Sequence, residues 1–206
     1  MESLSGWFEK LVFGIKAGPT VITVIGSGGK TSLIRLLAAH FSRSLVKERR
    51  KVLVTTTTKM FPLPPLDGVT TVGCFNEKTG KLESLPLYEL ERIIPDFDLV
   101  LIEGDGSREL PLKGWADSEP VVPPFTTITV GVLPLWPLGM TVSEKIVHRL
   151  PLFCDLSGAS PGEVLSVSHL AAVISGTKAN TTAGEISAAK SLSARPGGSR
   201  FFFLIR

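Results

Sequence analysis

The sequence has little cysteine, and this scarcity excludes two classes of small-domain chemistry. Cys74 and Cys154 are its only two cysteines. They lie far apart, and neither belongs to a CxxC pair or to a cluster with histidine. A disulfide framework and a cysteine-rich zinc site both need several cysteines at short spacings. The chain is therefore not expected to be held together by disulfides or by zinc.

Long apolar runs and a strong charge of one sign are also missing. No segment reaches the length of a membrane span, and Glu2, Glu9 and Lys10 interrupt the N-terminal stretch where a signal peptide would be apolar. The formal net charge is only +3, which is too small to predict nucleic-acid binding. We therefore predict a cytoplasmic protein that binds neither nucleic acid nor a membrane.

The apolar content that is present suffices for one sizeable core. The chain has 206 residues, of which 43% are hydrophobic, and this predicts a single domain over 1–206. Apolar residues at helical spacing predict an N-terminal amphipathic helix within 1–18. Residues 178–200 hold few large apolar side chains, so we expect a weakly structured segment there.

The predicted elements follow the order strand, glycine-rich turn, helix, strand. Residues 20–25 and 51–56 are β-branched and apolar, which indicates buried strands, and 30–42 has a helical apolar face. Such a βαβ unit joins parallel strands through a right-handed crossover. Further strands are predicted over 98–103, 127–133 and 200–205, with short helices over 85–94 and 143–149 and another introduced by a capping box at 160–163. We predict an α/β fold of the P-loop NTPase-like kind, with a mostly parallel sheet and helices on both faces.

The glycine-rich turn carries a candidate phosphate-binding loop. Its residues are Gly26, Ser27, Gly28, Gly29, Lys30, Thr31 and Ser32. They follow a short G-x-x-G-K-T pattern, because Val24 stands where the standard Walker A pattern needs its first glycine. Glycines let backbone N–H groups face an anion, and the start of the following helix favours negative charge. We expect ATP or GTP as the ligand, with Lys30 reaching its β and γ phosphates and the Thr31 hydroxyl ligating Mg²⁺. The alternative is a plain glycine turn, which would not need Lys-Thr-Ser at the start of a helix.

Two acids follow another predicted buried strand. Glu103 and Asp105 stand at its C-terminal end, where P-loop domains place a carboxylate that holds Mg²⁺. We predict that both belong to the catalytic site and that Glu103 ligates the metal, although the choice between the two acids stays open. Ordinary turn carboxylates are the alternative.

The threonine run 55–58 ends the second strand of the βαβ unit. Ligands of open α/β sheets bind at this edge, and hydroxyls there can ligate Mg²⁺ or hold a γ-phosphate. Thr57 is therefore a predicted metal ligand together with Thr31 and Glu103. Because successive side chains of a strand point to opposite faces of the sheet, some of these threonines are instead expected to pack against the core.

Cations in the loop after Glu103 are candidates for stabilising a transferring phosphoryl group. Arg108 and Lys113 are the predicted catalytic residues of this kind, and the pair His148 and Arg149 is open to the same role. A solvated surface charge is the alternative for each.

Several separate motifs, taken in their order, resemble the YqeC family. They are Val24–Ser32, Val54–Met60, Glu103–Arg108 with Leu110–Lys113, Glu119–Pro123 and Val147–Arg149. The likeness spans roughly residues 15–175. Members of this family are described as accessory proteins of selenium-dependent hydroxylases or as selenium cofactor biosynthesis proteins. The resemblance implies a role in maturing molybdenum hydroxylases that contain selenium, and a hydroxylase or its maturation factors as partner. The short glycine loop also looks like that of the Mur ligases.

This sequence departs from the family pattern at the end of the chain. Family members continue past the last strand into an Asn-Lys-x-Asp-like segment, and here the sequence stops at Arg206. We therefore expect a truncated or divergent form that is less stable and discriminates poorly between purine bases.

Three functions fit these patterns. The first, which we predict, is an Mg²⁺-dependent NTPase that acts as an accessory factor in selenium and molybdenum cofactor maturation. The second is a nucleotide-gated binding module or chaperone with little intrinsic turnover. The third is an ATP-dependent ligase or kinase of the Mur type.

Overall fold

The computed structural model describes residues 18–43 and 50–176, residues 6, 8, 9 and 12, and the backbone of 186–193 and 199–205. The chain divides into two compact units. The first unit comprises Met1–Val24, Thr31–Gly104 and Pro123–Ile128, and the second comprises Ile25–Lys30, Asp105–Val122 and Thr129–Arg206. Each unit is thus assembled from interleaved segments of the sequence.

The described elements from residue 20 to residue 103 are seven strands, two α-helices and a 3₁₀ turn. Their bounds are β1 (Thr20–Gly26), β2 (Val52–Thr56), β3 (Lys59–Met60), β4 (Val69–Thr71), β5 (Cys74–Asn76), β6 (Lys81–Glu83), α2 (Leu87–Ile93), a 3₁₀ turn (Ile94–Asp96) and β7 (Leu99–Glu103), with α1 (Lys30–Ser42) after β1. Strands β1, β7, β2 and β4 lie side by side in that order and run parallel. Every residue of β1, β2 and β7 is buried, as expected for strands of a parallel sheet.

The register of these strands brings their C-terminal ends to one edge. Val24 pairs with Glu103 across β1 and β7, and Thr56 pairs with the same Glu103 across β2 and β7. The core beneath includes Val21, Leu53 and Val100. Strands β3, β6 and β5 form a separate small antiparallel sheet.

The described elements from residue 112 onward are five strands and two helices. They are β8 (Leu112–Lys113), β9 (Ile128–Pro134, whose first residue belongs to the first unit), β10 (Val147–His148), α3 (Leu150–Ser157), α4 (Val167–Gly176), β11 (Ile186–Ser193) and β12 (Ser199–Ile205). Strand β10 pairs with β8 in parallel, whereas β12 lies between β9 and β11 and is antiparallel to both. A buried cluster around Leu112, Leu133, Val147 and Phe153 forms the core of the second unit.

The predicted α/β class and the mostly parallel sheet are confirmed. Of the predicted N-terminal helix within 1–18, four residues are described as helical, Gly6, Phe8, Glu9 and Val12. Phe8 and Val12 are buried, and the remaining residues of that prediction lie outside the described ones. Among the described residues, no helix has the length and apolar character needed to cross a bilayer.

Three local predictions differ from the structure. The helix predicted over 143–149 is instead a turn, closed by Ile146 N–H donating to Ser143 O, followed by β10. The capping box at 160–163 makes its Ser160 N–H to Glu163 Oε2 bond at 2.9 Å but starts no helix, because Gly162 has φ of 87°. Strand β11 lies within 178–200, where we expected weak structure; the other residues of that segment, except Ser199 and Arg200, lie outside the described ones.

Candidate functional site

The turn after β1 has a backbone that only glycine adopts easily. Gly26, Gly28 and Gly29 have φ of 104°, 64° and 123°, in the region that side chains other than hydrogen disfavour. A Cβ on Gly26 would lie 2.3 Å from Val132 O, and one on Gly28 would lie 2.7 Å from Pro134 Cγ. The glycines are therefore required both by conformation and by the close approach of β9. Successive glycines of this kind can form a concave backbone suited to an anion.

Ser27 carries a buried hydroxyl that lacks a partner. Its backbone N–H donates to Val132 O at 2.9 Å, and its side chain is fully buried. Its Oγ makes no hydrogen bond to any described group. A buried polar atom left unpaired costs about 1–3 kcal/mol, and the hydroxyls of Ser42, Thr55 and Thr58 are in the same state. The unpaired hydroxyl therefore does not by itself indicate a ligand, and the positive-φ glycines are what suits the loop to an anion.

Lys30 places its ammonium group against the loop that it terminates. It is 5% exposed, and its Nζ donates to Gly26 O at 2.9 Å. Asp105 Oδ1 lies 3.4 Å from the same Nζ. The predicted phosphate-binding cation is therefore held at the glycine loop by two oxygens of the chain.

Asp105 is a fully buried carboxylate that holds the glycine loop. Both of its oxygens accept from Gly26 N–H, at 3.1 and 3.0 Å. Oδ2 also accepts from Trp115 Nε1 at 2.8 Å and lies 3.0 Å from Lys113 Nζ. All of these contacts are with the chain itself, so the described role of Asp105 is to fix the loop and to balance two buried cations.

Asp105 belongs to a network of alternating negative and positive side chains that also includes Lys113, Glu119 and Arg149. Lys113 is fully buried, and its Nζ donates to Gly106 O at 2.7 Å and to Glu119 Oε2 at 2.8 Å. Arg149 in turn donates to both oxygens of Glu119, at 2.7 and 3.1 Å. The predicted catalytic Lys113 is thus enclosed by three oxygen acceptors.

Glu119 has a strongly shifted pKa, which gives a test of this network. Burial by itself raises the pKa of Glu119, but hydrogen bonds from Arg149 and Lys113 and their positive charges outweigh it and lower the pKa from 4.5 to about 2. Because the folded state holds the proton less tightly than the unfolded state, the stabilisation is complete at neutral pH. It is lost as pH falls from about 5 towards 2.

We therefore expect Glu119→Gln to destabilise the protein at pH 7 and to do so less and less as the pH falls towards 2. Urea unfolding of the wild type and the variant across this range measures the difference. Glu144→Gln, at an exposed carboxylate of the same unit, serves as the control and should show no such pH dependence. A Glu119→Gln effect that stays constant from pH 7 to 2 would show that the ion pairs contribute nothing.

Glu103 and the threonines form a group of oxygen atoms in the first unit. Thr31 Oγ1 donates to Glu103 Oε2 at 2.6 Å. Thr56 Oγ1 and the Thr57 backbone N–H donate to Glu103 O, at 2.9 and 3.0 Å. Glu103 and Thr57 are both buried. Carboxylate and hydroxyl oxygens are the ligands that Mg²⁺ prefers, and the hydrogen bond brings the two predicted ligands Thr31 and Glu103 together, whereas metal binding stays a prediction.

The described residues contain no group of three or more acidic, histidine or cysteine side chains able to hold a metal ion. A dedicated metal cage is therefore not what the described residues form. Mg²⁺ at phosphate sites is commonly held by one or two protein oxygens, with water and substrate phosphates as the other ligands. The pair Thr31 and Glu103 has the oxygen ligands that such a site needs, and Thr57 N–H donates to Glu103 O.

Arg108 lies in an unusual turn at the surface. Arg108 and Glu109 have φ of 51° and 65°, and Leu110 N–H donates to Ser107 O at 3.0 Å to close the turn. Two consecutive non-glycine residues with positive φ are strained. Burial lowers the pKa of His148, and the charges of Arg149, Arg108 and Lys113 lower it further, whereas the charge of Glu119 opposes them.

Two residues of the network had no predicted role, Trp115 and Glu119. Trp115 follows Gly114, whose added Cβ would lie 2.4 Å from Phe153 N, so the chain here must pass close to α3. An acid such as Glu119 in a loop rich in predicted cations could have suggested a partner for Lys113. No local pattern pointed to the hydrogen bond between Trp115 and Asp105. These residues lie ten positions apart, and they meet only because the loop between them reverses direction.

Comparisons with known proteins agree on one family. The model of the YqeC protein family matches residues 22–151. The uncharacterized protein YqeC of Escherichia coli (strain K12) is 34% identical over 182 residues, which cover 78% of this chain and 70% of that protein. No solved structure matches the chain. The glycine loop, Glu103, Asp105 and the Lys113–Glu119–Arg149 network all lie inside the matched region.

Proposed function

The chain belongs to the YqeC family, and we propose that it is an Mg²⁺-dependent nucleoside-triphosphate-binding protein that serves as an accessory factor in hydroxylase maturation. The observation that carries the nucleotide part is the glycine loop, whose three positive-φ glycines are followed by the nearly buried ammonium of Lys30 at Gly26 O. A phosphate group supplies a charged acceptor for this ammonium. An uncharged ligand would offer no negative charge to Lys30, so that only groups of the chain would balance its ammonium.

In this proposal the Lys30 ammonium replaces one hydrogen-bond acceptor, Gly26 O, with another, a phosphate oxygen. Without ligand, its ammonium is paired with Gly26 O and Asp105. A phosphate oxygen would replace the neutral carbonyl with a charged acceptor, and hydrogen bonds to charged groups are roughly twice as strong as neutral ones. Asp105 keeps Gly26 N–H and Lys113 in place during this exchange, so the loop retains its shape.

Thr31 and Glu103 would hold the metal. Thr31 follows Lys30 directly in the chain, and its hydroxyl already donates to Glu103 Oε2. Mg²⁺ would neutralise negative charge on the phosphate oxygens. Glu103 would keep its place because Thr56 and Thr57 both bind its backbone oxygen.

Calorimetry tests the nucleotide part directly. The chain is titrated with ATP, GTP and CTP, each with and without Mg²⁺. We expect saturable binding of at least one triphosphate, tighter with the metal. AMP, which lacks the β and γ phosphates, is the matched ligand control and should bind much more weakly. If no triphosphate binds a folded sample, or if AMP binds equally well, the proposal is wrong.

The metal ligand can be tested separately with Glu103→Gln. Glutamine keeps the size and an acceptor for Thr31 Oγ1, but removes the charge that favours Mg²⁺. We expect the tightening of triphosphate binding by Mg²⁺ to fall by about tenfold, a change worth about 1.4 kcal/mol. Binding without metal should change little.

Glu144→Gln is the control for this experiment, since it removes an exposed carboxylate elsewhere. Equal Mg²⁺ dependence in the wild type and Glu103→Gln would remove Glu103 from the metal site. The glycine loop could still bind nucleotide, and the calorimetry above would report that independently.

A nucleotide-gated binding module is the second candidate function. The observation that favours it is the enclosure of Asp105 and Lys113 by other groups of the chain, which leaves neither free to act on a bound phosphoryl group. The two candidates differ in turnover. Steady release of phosphate by the chain alone supports an NTPase, whereas tight binding without release supports the module.

The accessory role rests on the motifs shared with the YqeC family. It predicts that a cell lacking this protein loads less selenium into its selenium-dependent molybdenum hydroxylase. Labelling with radioactive selenium, followed by isolation of the hydroxylase, measures this. Complementation by the wild type but not by Lys30→Ala would tie the role to the glycine loop, and undiminished labelling without the protein would exclude the role.

A further inference from the structure

A cavity of about 320 Å³ lies in the second unit, away from the glycine loop itself. It has aromatic, apolar and acidic walls, which include Trp115, Leu152, Leu156, Asp117, Glu119 and Asp155. Its volume is at the lower end of the range for small-molecule sites, and such sites combine apolar walls with a few polar groups. Nothing in the proposed nucleotide site uses this cavity.

The charges of the walls favour a cation. Glu119 is already neutralised by Arg149 and Lys113. Asp117 and Asp155 are exposed, and the contacts of the described residues include no cation paired with either. The cavity therefore carries two uncompensated carboxylates beside an indole ring and two leucines. A cation with an apolar body matches both features. Lys113 Nζ already lies 5.7 Å from the centre of the Trp115 ring, so the two carboxylates and the leucines carry this match.

One wall of the cavity is linked to the glycine loop through Asp105. Trp115 Nε1 donates to Asp105 Oδ2, and the same carboxylate accepts Gly26 N–H and lies near Lys30. A ligand that shifts the indole ring would therefore change the hydrogen bonding of Asp105, and with it the groups that hold the loop.

We propose that this cavity binds a small organic cation, with an apolar or aromatic body and a protonated amine or amidine group, and that its occupancy is coupled to the glycine loop through Trp115 and Asp105. The coupling rests on the proposed nucleotide function, whereas the cavity site does not. By linkage, the cation and the triphosphate must each change the affinity of the other by the same factor.

The cavity is tested first without nucleotide. Benzamidine is titrated into ¹⁵N-labelled protein, and the indole N–H resonance of Trp115, assigned with Trp115→Phe, is followed by NMR. We expect a saturable shift with benzamidine and none with benzoate, which has the same size and the opposite charge. No saturable shift with benzamidine, or equal shifts with both probes, would overturn the site.

Charge variants show where the probe binds. The double variant Asp117→Asn with Asp155→Asn should weaken benzamidine binding by about tenfold, since each exposed ion pair contributes up to about 1 kcal/mol. Both positions are exposed, so the fold should persist. Glu144→Gln is the matched control and should bind as the wild type does. Unchanged affinity in the double variant would place benzamidine elsewhere and overturn the proposal.

The coupling is tested by repeating the titration with saturating ATP or GTP and Mg²⁺. We expect the benzamidine dissociation constant to change by about fivefold or more, and this change to vanish in Trp115→Phe when binding is followed by calorimetry. An identical constant with and without bound nucleotide overturns the coupling. If no nucleotide binds at all, the proposed function and the coupling fall together, and the first titration still decides the cavity site.

Discussion

Lys30→Ala is expected to weaken ATP or GTP binding by about ten- to a hundredfold, a loss of roughly 1.5–3 kcal/mol for a charge-assisted contact. The structure gives the physical reason. The Lys30 ammonium is nearly buried at the glycine loop, where its only neutral partner is Gly26 O among the contacts described. A triphosphate that enters the loop meets this charge at short range and away from bulk water, where it acts most strongly.

The fold should survive this substitution. Asp105 loses one neighbouring cation but keeps Gly26 N–H, Trp115 Nε1 and Lys113 Nζ. Calorimetry on Lys30→Ala, with circular dichroism to confirm folding, measures the effect. Lys145→Ala removes an exposed lysine of the same unit and should bind nucleotide as the wild type does. Unchanged triphosphate affinity in folded Lys30→Ala would sink the phosphate-loop assignment.

The strands that position the site could be predicted from sequence because their signal is contiguous. Strands β1, β2 and β7 are short runs of β-branched and apolar residues, and each is buried along its whole length. Parallel strands with such runs must end at one edge, which is why Glu103 and Thr56 meet there in register. The pattern of residues 26–32 also located the turn, whose glycines have the positive φ that the pattern implies.

The different surroundings of Glu103 and Asp105 could not be predicted. The two acids stand two residues apart, and both suit a metal or a phosphate site by composition. Their contacts diverge only after folding: Glu103 accepts from Thr31, whereas Asp105 accepts from Gly26, 79 residues earlier in the chain, and from Trp115. Such long-range bonds leave no local pattern, so sequence reasoning could place the pair but not separate its members.

Two predictions of helices from local sequence patterns were wrong, because the chain turns at those positions. Residues 160–163 have a capping-box spacing, and the Ser160 to Glu163 bond is made, but Gly162 adopts a left-handed conformation that a helix cannot continue. Residues 143–149 similarly give way to a turn and to β10, whose pairing with β8 is a tertiary contact. Strand β11 is held by pairing with β12, which composition alone does not reveal.

Asp105→Ala is expected to cost about 3–5 kcal/mol of unfolding free energy, the range found when one partner of a buried ion pair is removed. The carboxylate is fully buried and is the common partner of Gly26 N–H, Trp115 Nε1 and Lys113 Nζ. Its loss leaves the buried Gly26 N–H and the half-buried Trp115 Nε1 without this acceptor, and the Lys113 charge is then balanced only by Glu119. Urea unfolding measures the change. Asp117→Ala, on the exposed part of the same loop, is the control and should stay within about 0.5 kcal/mol.

A double variant separates the interaction energy of the Asp105–Lys113 ion pair from the other losses of unfolding free energy in Asp105→Ala. Lys113→Met fills a similar volume without a charge, so in Asp105→Ala with Lys113→Met only Lys30 remains of the two cations that the carboxylate balances. We therefore expect the double variant to lose less stability than the sum of the two single variants, by about 0.5–3 kcal/mol. Full additivity would mean that the 3.0 Å contact between Asp105 and Lys113 carries no interaction energy. The charge network that runs from Arg149 through Glu119 would then end at Lys113.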